Sequence, residues 1–329
     1  MTGILEKQAK GLGSTLTALV WATLVLLAFL LGAAGCQSKK AGTASSKPVA
    51  VATIFAYYDA LRAIGDGDVQ AVILLPPRQS PHSYQPTIQD RAAVAQAALF
   101  IKNGLSIDPW ADKLTSENRS AVVLEIAQIL KAKGLSTVQT EEVSVTPASQ
   151  AASAESEDVS AGNPHIWLDP RVQMAAAEAV RDALIRIDPA HGANYTARAD
   201  RYLAELRKLD SDFAAAARQF KQREFIGFHS AYAYLANRYG LHQVAAVEEL
   251  PGEGPSLAQQ ANIIRLIKDK GIHVIFMESA FPAQAARRIV AETGVKTGIL
   301  QPLETYDSPD ETYVSLMRQN LKALQEVLQ

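Results

Sequence analysis

Three of the six histidines in this sequence, His82, His165 and His229, stand where metal ligands are expected. His165 lies in the stretch Asn-Pro-His-Ile-Trp-Leu-Asp-Pro, whose two prolines fix φ and stiffen the backbone. A neutral imidazole held on a stiff segment in apolar surroundings suits coordination of a transition metal. A lone histidine in such a place is more often a hydrogen-bonded structural residue, so the metal prediction depends on the other two.

His82 and His229 each follow a predicted β-strand, His82 in Ser-Pro-His-Ser-Tyr and His229 in Phe-His-Ser-Ala-Tyr. Ligands of open α/β sheets bind outside the carboxyl ends of the strands. We therefore predict that these three histidines, which come from both halves of the chain, form one metal site. The other histidines are interpreted as structural or solvated: His191, His242 and His273.

Short apolar runs alternate with helical patterns along most of the chain. In the first half, strands are predicted at 49–55, 69–75 and 98–101, and residues 120–133 are predicted to form a helix. In the second half, strands are predicted at 225–228, 244–247, 274–277 and 297–300, with helices between them. Such alternation indicates parallel sheets covered by helices on both faces.

One helix is predicted to be much longer than the rest. Asp188-Pro189 is a favourable helix start, apolar residues then recur at spacings of three and four, and no proline interrupts positions 190–220. A helix of that length spans roughly 45 Å. The predicted fold is α/β, with two (β/α) lobes of parallel-type sheets, residues 48–188 and 222–329, joined by one long rigid α-helix over 189–221.

The first 35 residues read as an export signal. Lys7 and Lys10 precede an apolar run over 16–31 that ends in small residues, although a run of this length could instead anchor the chain by spanning a membrane. Cys36, the only cysteine, follows directly, and the segment resembles a lipoprotein cleavage motif in which Ala33 replaces the usual leucine. We expect removal of residues 1–35, lipidation of Cys36, a flexible tether over 36–47, and no disulfide or thiolate site.

Motifs distributed along the chain identify it as a member of one family. From about Pro48 to the end, it resembles the zinc/manganese substrate-binding proteins of bacterial ABC transporters, the cluster A-I or ZnuA/TroA/PsaA-like group. Gln85 stands where many members carry glutamate. The resemblance rests on these segments: 75–87, 163–170, 228–232, 239–241, 310–313 and 317–321.

The resemblance implies the ligand set and the cargo. His82, His165 and His229 match the three histidine ligands, and Asp307 is the best match for the fourth, with Glu304 or a water as alternatives. Three imidazoles and a carboxylate suit Zn²⁺, whereas a manganese-type member more often carries glutamate at the position of His229. Zn²⁺ is therefore the expected cargo, with Mn²⁺, alone or together with zinc, as the alternative.

The resemblance also implies partners and location. A monomer anchored to the membrane by lipid would face the periplasm or the cell exterior and deliver metal to an ABC permease and its ATPase. We expect limited lobe movement, and loosening of one ligand loop when metal is lost. The acidic, Ala/Ser-rich loop over 141–162 contains no histidine that could gather metal.

Composition and motifs weigh against other classes. A net charge of −2 with no basic stripe argues against nucleic acid, and only 7% aromatic residues argues against a sugar or amino-acid cleft. Signatures of metalloproteases, serine hydrolases and P-loop enzymes are missing from the sequence. We therefore predict no enzymatic activity. A zinc hydrolase with water as fourth ligand and a surface adhesin remain the alternatives of another class.

Overall fold

The computed structural model describes residues 47–135, 137–138, 162–248, 255–278 and 284–329. The predicted export signal, Cys36 and the tether up to Ser46 lie outside the described residues, as does nearly all of the 141–162 loop. Within the described ranges, we find no helix that is both long and apolar enough to cross a membrane.

The first lobe is built on a parallel four-stranded sheet of order β2-β1-β3-β4. Helices precede or follow each strand, as a parallel sheet requires. The elements are β1 (Val49–Ala52), α1 (Phe55–Gly65), β2 (Gln70–Ile73), α2 (Ile88–Gln96), β3 (Ala97–Lys102), α3 (Trp110–Glu117), β4 (Val122–Glu125) and α4 (Ile126–Ala132).

The prediction of one helix over 120–133 is wrong in its first part. Residues Val122–Glu125 form the edge strand β4, paired with β3, and α4 begins at the next residue. The run Ala-Val-Val-Leu-Glu-Ile-Ala-Gln-Ile-Leu passes from strand to helix without Gly or Pro. An uninterrupted apolar run can satisfy either pattern, so pairing with β3 decides the outcome.

Two long helices follow, α5 (Pro170–Ile187) and α6 (Gly192–Ala217), separated by a short 3₁₀ turn at Pro189–His191. Asp169 caps α5 by accepting a hydrogen bond from the backbone N–H of Arg171. The predicted long helix is thus present as α6, preceded by the 3₁₀ turn rather than continuous from Pro189.

The second lobe repeats the architecture of the first. Its sheet is again parallel and four-stranded, in the order β6-β5-β7-β8. Its elements are β5 (Glu224–Gly227), α7 (Ala233–Tyr239), β6 (His242–Ala246), α8 (Leu257–Lys270), β7 (Val274–Met277), α9 (Gln284–Thr293), β8 (Lys296–Ile299) and α10 (Tyr313–Leu328). The predicted α/β architecture of two parallel-sheet lobes is confirmed.

The long helix α6 is buried between the lobes along one face. It packs against α1 and α5 of the first lobe and against α7 and α10 of the second. The ring of Phe213 stacks on Tyr239 at 4.9 Å, and both belong to one apolar core that also contains Phe55 and Phe276. Each such side chain contributes about 1.5–3 kcal/mol on burial, so opening the lobes widely would expose costly apolar surface.

Candidate metal centre

Four side chains meet between the lobes: His82, His165, His229 and Glu304. One ligand atom from each lies within 4.8 Å of the others, and the four side chains are between 2% and 9% exposed. Nε2 of His165 lies 3.0 Å from Oε1 of Glu304 and 3.3 Å from Nε2 of His229. The same glutamate oxygen is 3.4 Å from Nε2 of His229 and 3.8 Å from Nε2 of His82.

These separations match a tetrahedral zinc site. Nitrogen and oxygen ligands lie about 2.05 Å from Zn²⁺, so two ligands of one tetrahedron stand about 3.3 Å apart. Four of the six separations between ligand atoms, 3.0–3.8 Å, lie around that value, and all six are within 4.8 Å. The group therefore has both the chemistry and the spacing to hold a metal ion.

The loop that carries His82 is fixed by an aromatic pair. Nε1 of Trp110 donates to the carbonyl oxygen of Pro81 at 3.0 Å, and Tyr84 packs edge-on against Trp110 at 5.1 Å. The Tyr84 hydroxyl then donates to Asp90 at 2.7 Å, in the first turn of α2. The residues before and after His82 are thus tied to α2 and α3.

Asn163 orients His165 and connects it to the second lobe. Its Oδ1 accepts from the backbone N–H and from Nδ1 of His165, both at 3.0 Å, which leaves Nε2 facing the centre. Its Nδ2 donates to the carbonyl oxygen of Ser230 at 2.7 Å, one residue after His229. One amide side chain therefore couples two ligand loops from different lobes.

His229 follows strand β5 and is held by the neighbouring strands. Gln243 on β6 donates to the carbonyl oxygen of His229 at 2.8 Å and accepts from the backbone N–H of Tyr232 at 3.0 Å. A Cβ on Gly227 would lie 2.4 Å from Nε2 of Gln243, so only glycine allows this close approach. Nδ1 of His229 lies 2.5 Å from Oε1 of Glu278, at the end of β7.

Glu304 follows the second sheet in sequence but is anchored to the first lobe. The backbone N–H of Phe55 donates to the carbonyl oxygen of Glu304 at 2.9 Å, and Nε1 of Trp167 donates to that of Pro302 at 2.7 Å. Leu303, between them, is buried with φ of 57°, a left-handed conformation that is uncommon for leucine. Thus three of the four candidate ligands are mounted on the first lobe and only His229 comes from the second.

Asp307, predicted as the fourth ligand, lies outside this group. Its carboxylate accepts from Nε of Arg78 at 2.8 Å and is 36% exposed, whereas Glu304 is 4% exposed. The polypeptide turns after Leu303 so that Glu304, one of the alternatives considered from the sequence, faces the imidazoles. Among the other histidines, Nδ1 of His191 lies 2.7 Å from Oδ2 of Asp188, and His191 is not part of the group.

The pKa values of His165 and His229 are shifted in opposite directions. Burial lowers the pKa of His165 to about 4, so this imidazole is neutral and ready to bind metal. Burial alone would also lower the pKa of His229, but the carboxylates of Glu278 and Glu304 outweigh it and raise that pKa well above 6.5. Burial would raise the pKa of Glu304, yet its contacts with the three histidine rings hold that pKa well below the usual range.

Asn163 and Glu278 are residues of the site that the sequence interpretation did not single out. Asn163 belongs to the proline-flanked motif of His165, and Glu278 directly follows strand β7. The rule that ligands gather at the carboxyl ends of strands would have pointed to Glu278, had it been applied to acids as well as to histidines.

Comparisons with known proteins identify relatives named for zinc uptake and zinc binding. The chain is 29% identical over 319 residues to the high-affinity zinc uptake system protein ZnuA of Bacillus subtilis, covering 94% of this chain and 98% of that protein. It is 28% identical over 301 residues to the zinc-binding lipoprotein AdcA of Streptococcus pneumoniae. That match covers 88% of this chain but 57% of AdcA, so the chain spans little more than half of that relative.

A solved structure shares the fold. A mutant of the laminin-binding adhesin Lmb from Streptococcus agalactiae superimposes with a TM-score of 0.70 at 26% identity, over 86% of this chain and all of that one. The model of the family described as zinc-uptake complex component A, periplasmic (ZnuA), matches residues 50–327. With that match over most of its length, and with three histidines and a glutamate gathered between two parallel-sheet lobes, the chain belongs to the ZnuA family of metal-binding proteins.

Proposed function

We propose that this protein captures Zn²⁺ outside the cytoplasmic membrane and delivers it to an ABC permease driven by its ATPase. The observation that carries the proposal is the set of three imidazoles and one carboxylate whose ligand atoms lie within 4.8 Å of one another. Membership of the ZnuA family and the zinc-uptake and zinc-binding names of the relatives support it.

The proposed ligands are His82, His165, His229 and Glu304. A protein carboxylate in the fourth position completes the tetrahedron, whereas a zinc hydrolase leaves that position to water. The arrangement thus favours a carrier over an enzyme. Asp307, the ligand suggested by family resemblance, is the competing assignment, and substitution of the two acids separates them.

Zinc is preferred over manganese on chemical grounds. Three of the four donors are imidazole nitrogens, and affinity for such donors places Zn²⁺ well above Mn²⁺. A manganese site is usually richer in oxygen donors and has more than four ligands. We therefore assign Mn²⁺ at most a secondary role.

Capture and release are proposed to involve loops more than whole lobes. His82, His165 and Glu304 form a three-ligand platform on the first lobe, and His229 closes it from the second. Because both lobes share a core through α6, wide opening is costly. The His82 side chain is the most exposed of the four, so we expect it to loosen between its anchored neighbours Pro81 and Tyr84 when metal leaves.

The location follows from the amino-terminal motif. We propose that residues 1–35 are removed and that Cys36 is lipidated, which anchors a monomer to the membrane while the lobes face the periplasm or cell exterior. Mass spectrometry of the amino-terminal peptide from membranes tests this. The wild-type peptide should begin at an acylated Cys36, a Cys36→Ser variant should lack the acyl mass, and an unmodified Cys36 in the wild-type peptide would contradict lipid anchoring.

The cargo is tested by competition. The purified protein is stripped with a chelator, exposed to equal zinc and manganese, and its metal content is measured after desalting. We expect about one zinc per chain and little manganese. A stable manganese-only product would overturn the cargo assignment, and failure to retain either metal would overturn the proposed function.

A further inference from the structure

The second nitrogen of His229 faces a buried carboxylate. Nδ1 lies 2.5 Å from Oε1 of Glu278, and the two side chains are 2% and 1% exposed. The hydroxyl of Tyr232 donates to the same oxygen at 3.2 Å. A Tyr–Glu–His chain therefore stands directly behind one candidate metal ligand.

The sheet itself builds this contact. Ile226 on β5 pairs with Ile275 on β7 in a parallel ladder. His229 and Glu278 each lie three residues beyond that pair, so they leave neighbouring strands at the same level. Placement on adjacent strand ends is more rigid than placement on a long loop.

His165, one of the two candidate histidine ligands of the other lobe, has a different partner. Nδ1 of His165 donates to the neutral amide oxygen of Asn163 at 3.0 Å. A carboxylate acceptor forms a stronger hydrogen bond than an amide and makes the imidazole a better electron donor to a metal on its far nitrogen. The two lobes thus offer the metal imidazoles of unequal donor strength.

We propose that Glu278 is a positioning residue that directs Nε2 of His229 to the metal, strengthens its donation and thereby raises the preference for zinc over manganese. This inference rests on the proposed function, since it concerns the same metal. The gain is larger for zinc than for manganese because metals higher in the affinity order respond more strongly to a better nitrogen donor.

The test uses Glu278→Gln, which keeps the size and an acceptor oxygen but removes the charge. Glu224→Gln is the matched control, because Glu224 lies 3.8 Å from the exposed non-ligand His242. Zinc and manganese dissociation constants are measured on the full chain in competition with a chromogenic chelator, together with the absorption spectrum of the Co²⁺ form. We expect Glu278→Gln to lower the affinity for zinc about 10- to 100-fold.

The ratio of zinc affinity to manganese affinity distinguishes this role from a merely structural one. Glu278→Gln should weaken manganese binding less than zinc binding and should shift the Co²⁺ absorption bands. Glu224→Gln should change neither the two affinities nor the bands. Equal loss for both metals with unshifted bands, or zinc affinity equal to wild type, would overturn the proposal. Wild-type protein that fails to bind zinc would instead refute the proposed function.

A second variant covers the case in which Glu278→Gln does not fold. Tyr232→Phe removes only the hydroxyl that donates to Glu278 and leaves both the carboxylate and His229 in place. We expect this variant to lower the affinity for zinc about two- to tenfold and to shift the Co²⁺ bands in the same direction as Glu278→Gln does. Unchanged zinc affinity and spectrum in this variant would count against the proposal.

Discussion

Substitution of Glu304 by alanine is the most direct test of the metal centre. Apparent binding free energies of four-ligand zinc sites are about 10–16 kcal/mol, so an equal share for one ligand is about 2.5–4 kcal/mol. That share corresponds to roughly a 70- to 900-fold loss of affinity. Because three imidazoles remain and water can enter the vacated position, we expect a loss of about 100-fold, near the lower end.

Asp307→Ala is the matched control, since it removes an acid from the same loop. The Asp307 carboxylate pairs with an exposed Arg78 side chain, and exposed ion pairs contribute little to stability. We expect zinc affinity within about threefold of wild type for this variant.

The assay is competition for zinc between each variant and a chromogenic chelator, with folding of the metal-free proteins checked by circular dichroism. Zinc affinity of Glu304→Ala within threefold of wild type would refute the assignment of Glu304. A larger loss in Asp307→Ala than in Glu304→Ala would restore Asp307 as the fourth ligand.

Four further predictions concern the same site. His229→Ala should lose about 100-fold or more in zinc affinity while His242→Ala, on an exposed strand end, keeps it, and equal effects in chelator competition would contradict the site. Because the pKa of His229 is raised above 6.5, zinc must displace a proton near neutrality, so affinity should fall about tenfold per pH unit below that raised pKa. Calorimetry giving equal affinities at pH 7.5 and 5.5 would exclude this. By linkage, the same proton stabilises the metal-free fold fully below pH 6.5, and that contribution is lost as pH rises through the raised pKa. Zinc at a hundred times its dissociation constant should stabilise the protein by about 2.7 kcal/mol. A melting temperature in differential scanning fluorimetry that zinc does not raise and a chelator does not lower would argue against specific binding.

Much of the fold could be predicted because its signals are local. Apolar runs bounded by turns identify seven of the eight strands, and an uninterrupted period of three and four identifies α6. Strand β4 was missed because it joins α4 without a breaker, and only its partner β3 determines its conformation. Local periodicity does not contain that long-range information.

The candidate site, like the fold, could be predicted only in part from the sequence. His165 and His229 are recognisable from their motifs, since proline stiffening and strand exits are features of the sequence. The choice between Glu304 and Asp307 depends on how the chain turns at Leu303, whose left-handed backbone is imposed by anchors far away in sequence. A backbone conformation that is imposed by long-range contacts cannot be predicted from three neighbouring residues.

The attachment of the Glu304 loop to the first lobe limits how proteins of this architecture could exchange parts. A crossover within α6 would transfer His229 and Glu304 together, yet leave behind the indole of Trp167 and the backbone of Phe55 that hold the Glu304 loop. The hydroxyl of Tyr313, which donates to the carbonyl oxygen of Trp167 at 2.7 Å, would meet the same mismatch. The two lobes look like interchangeable modules, but the residues after β8 are held by the first lobe. A chimera must exchange them together with that lobe to keep the candidate ligand Glu304 in place.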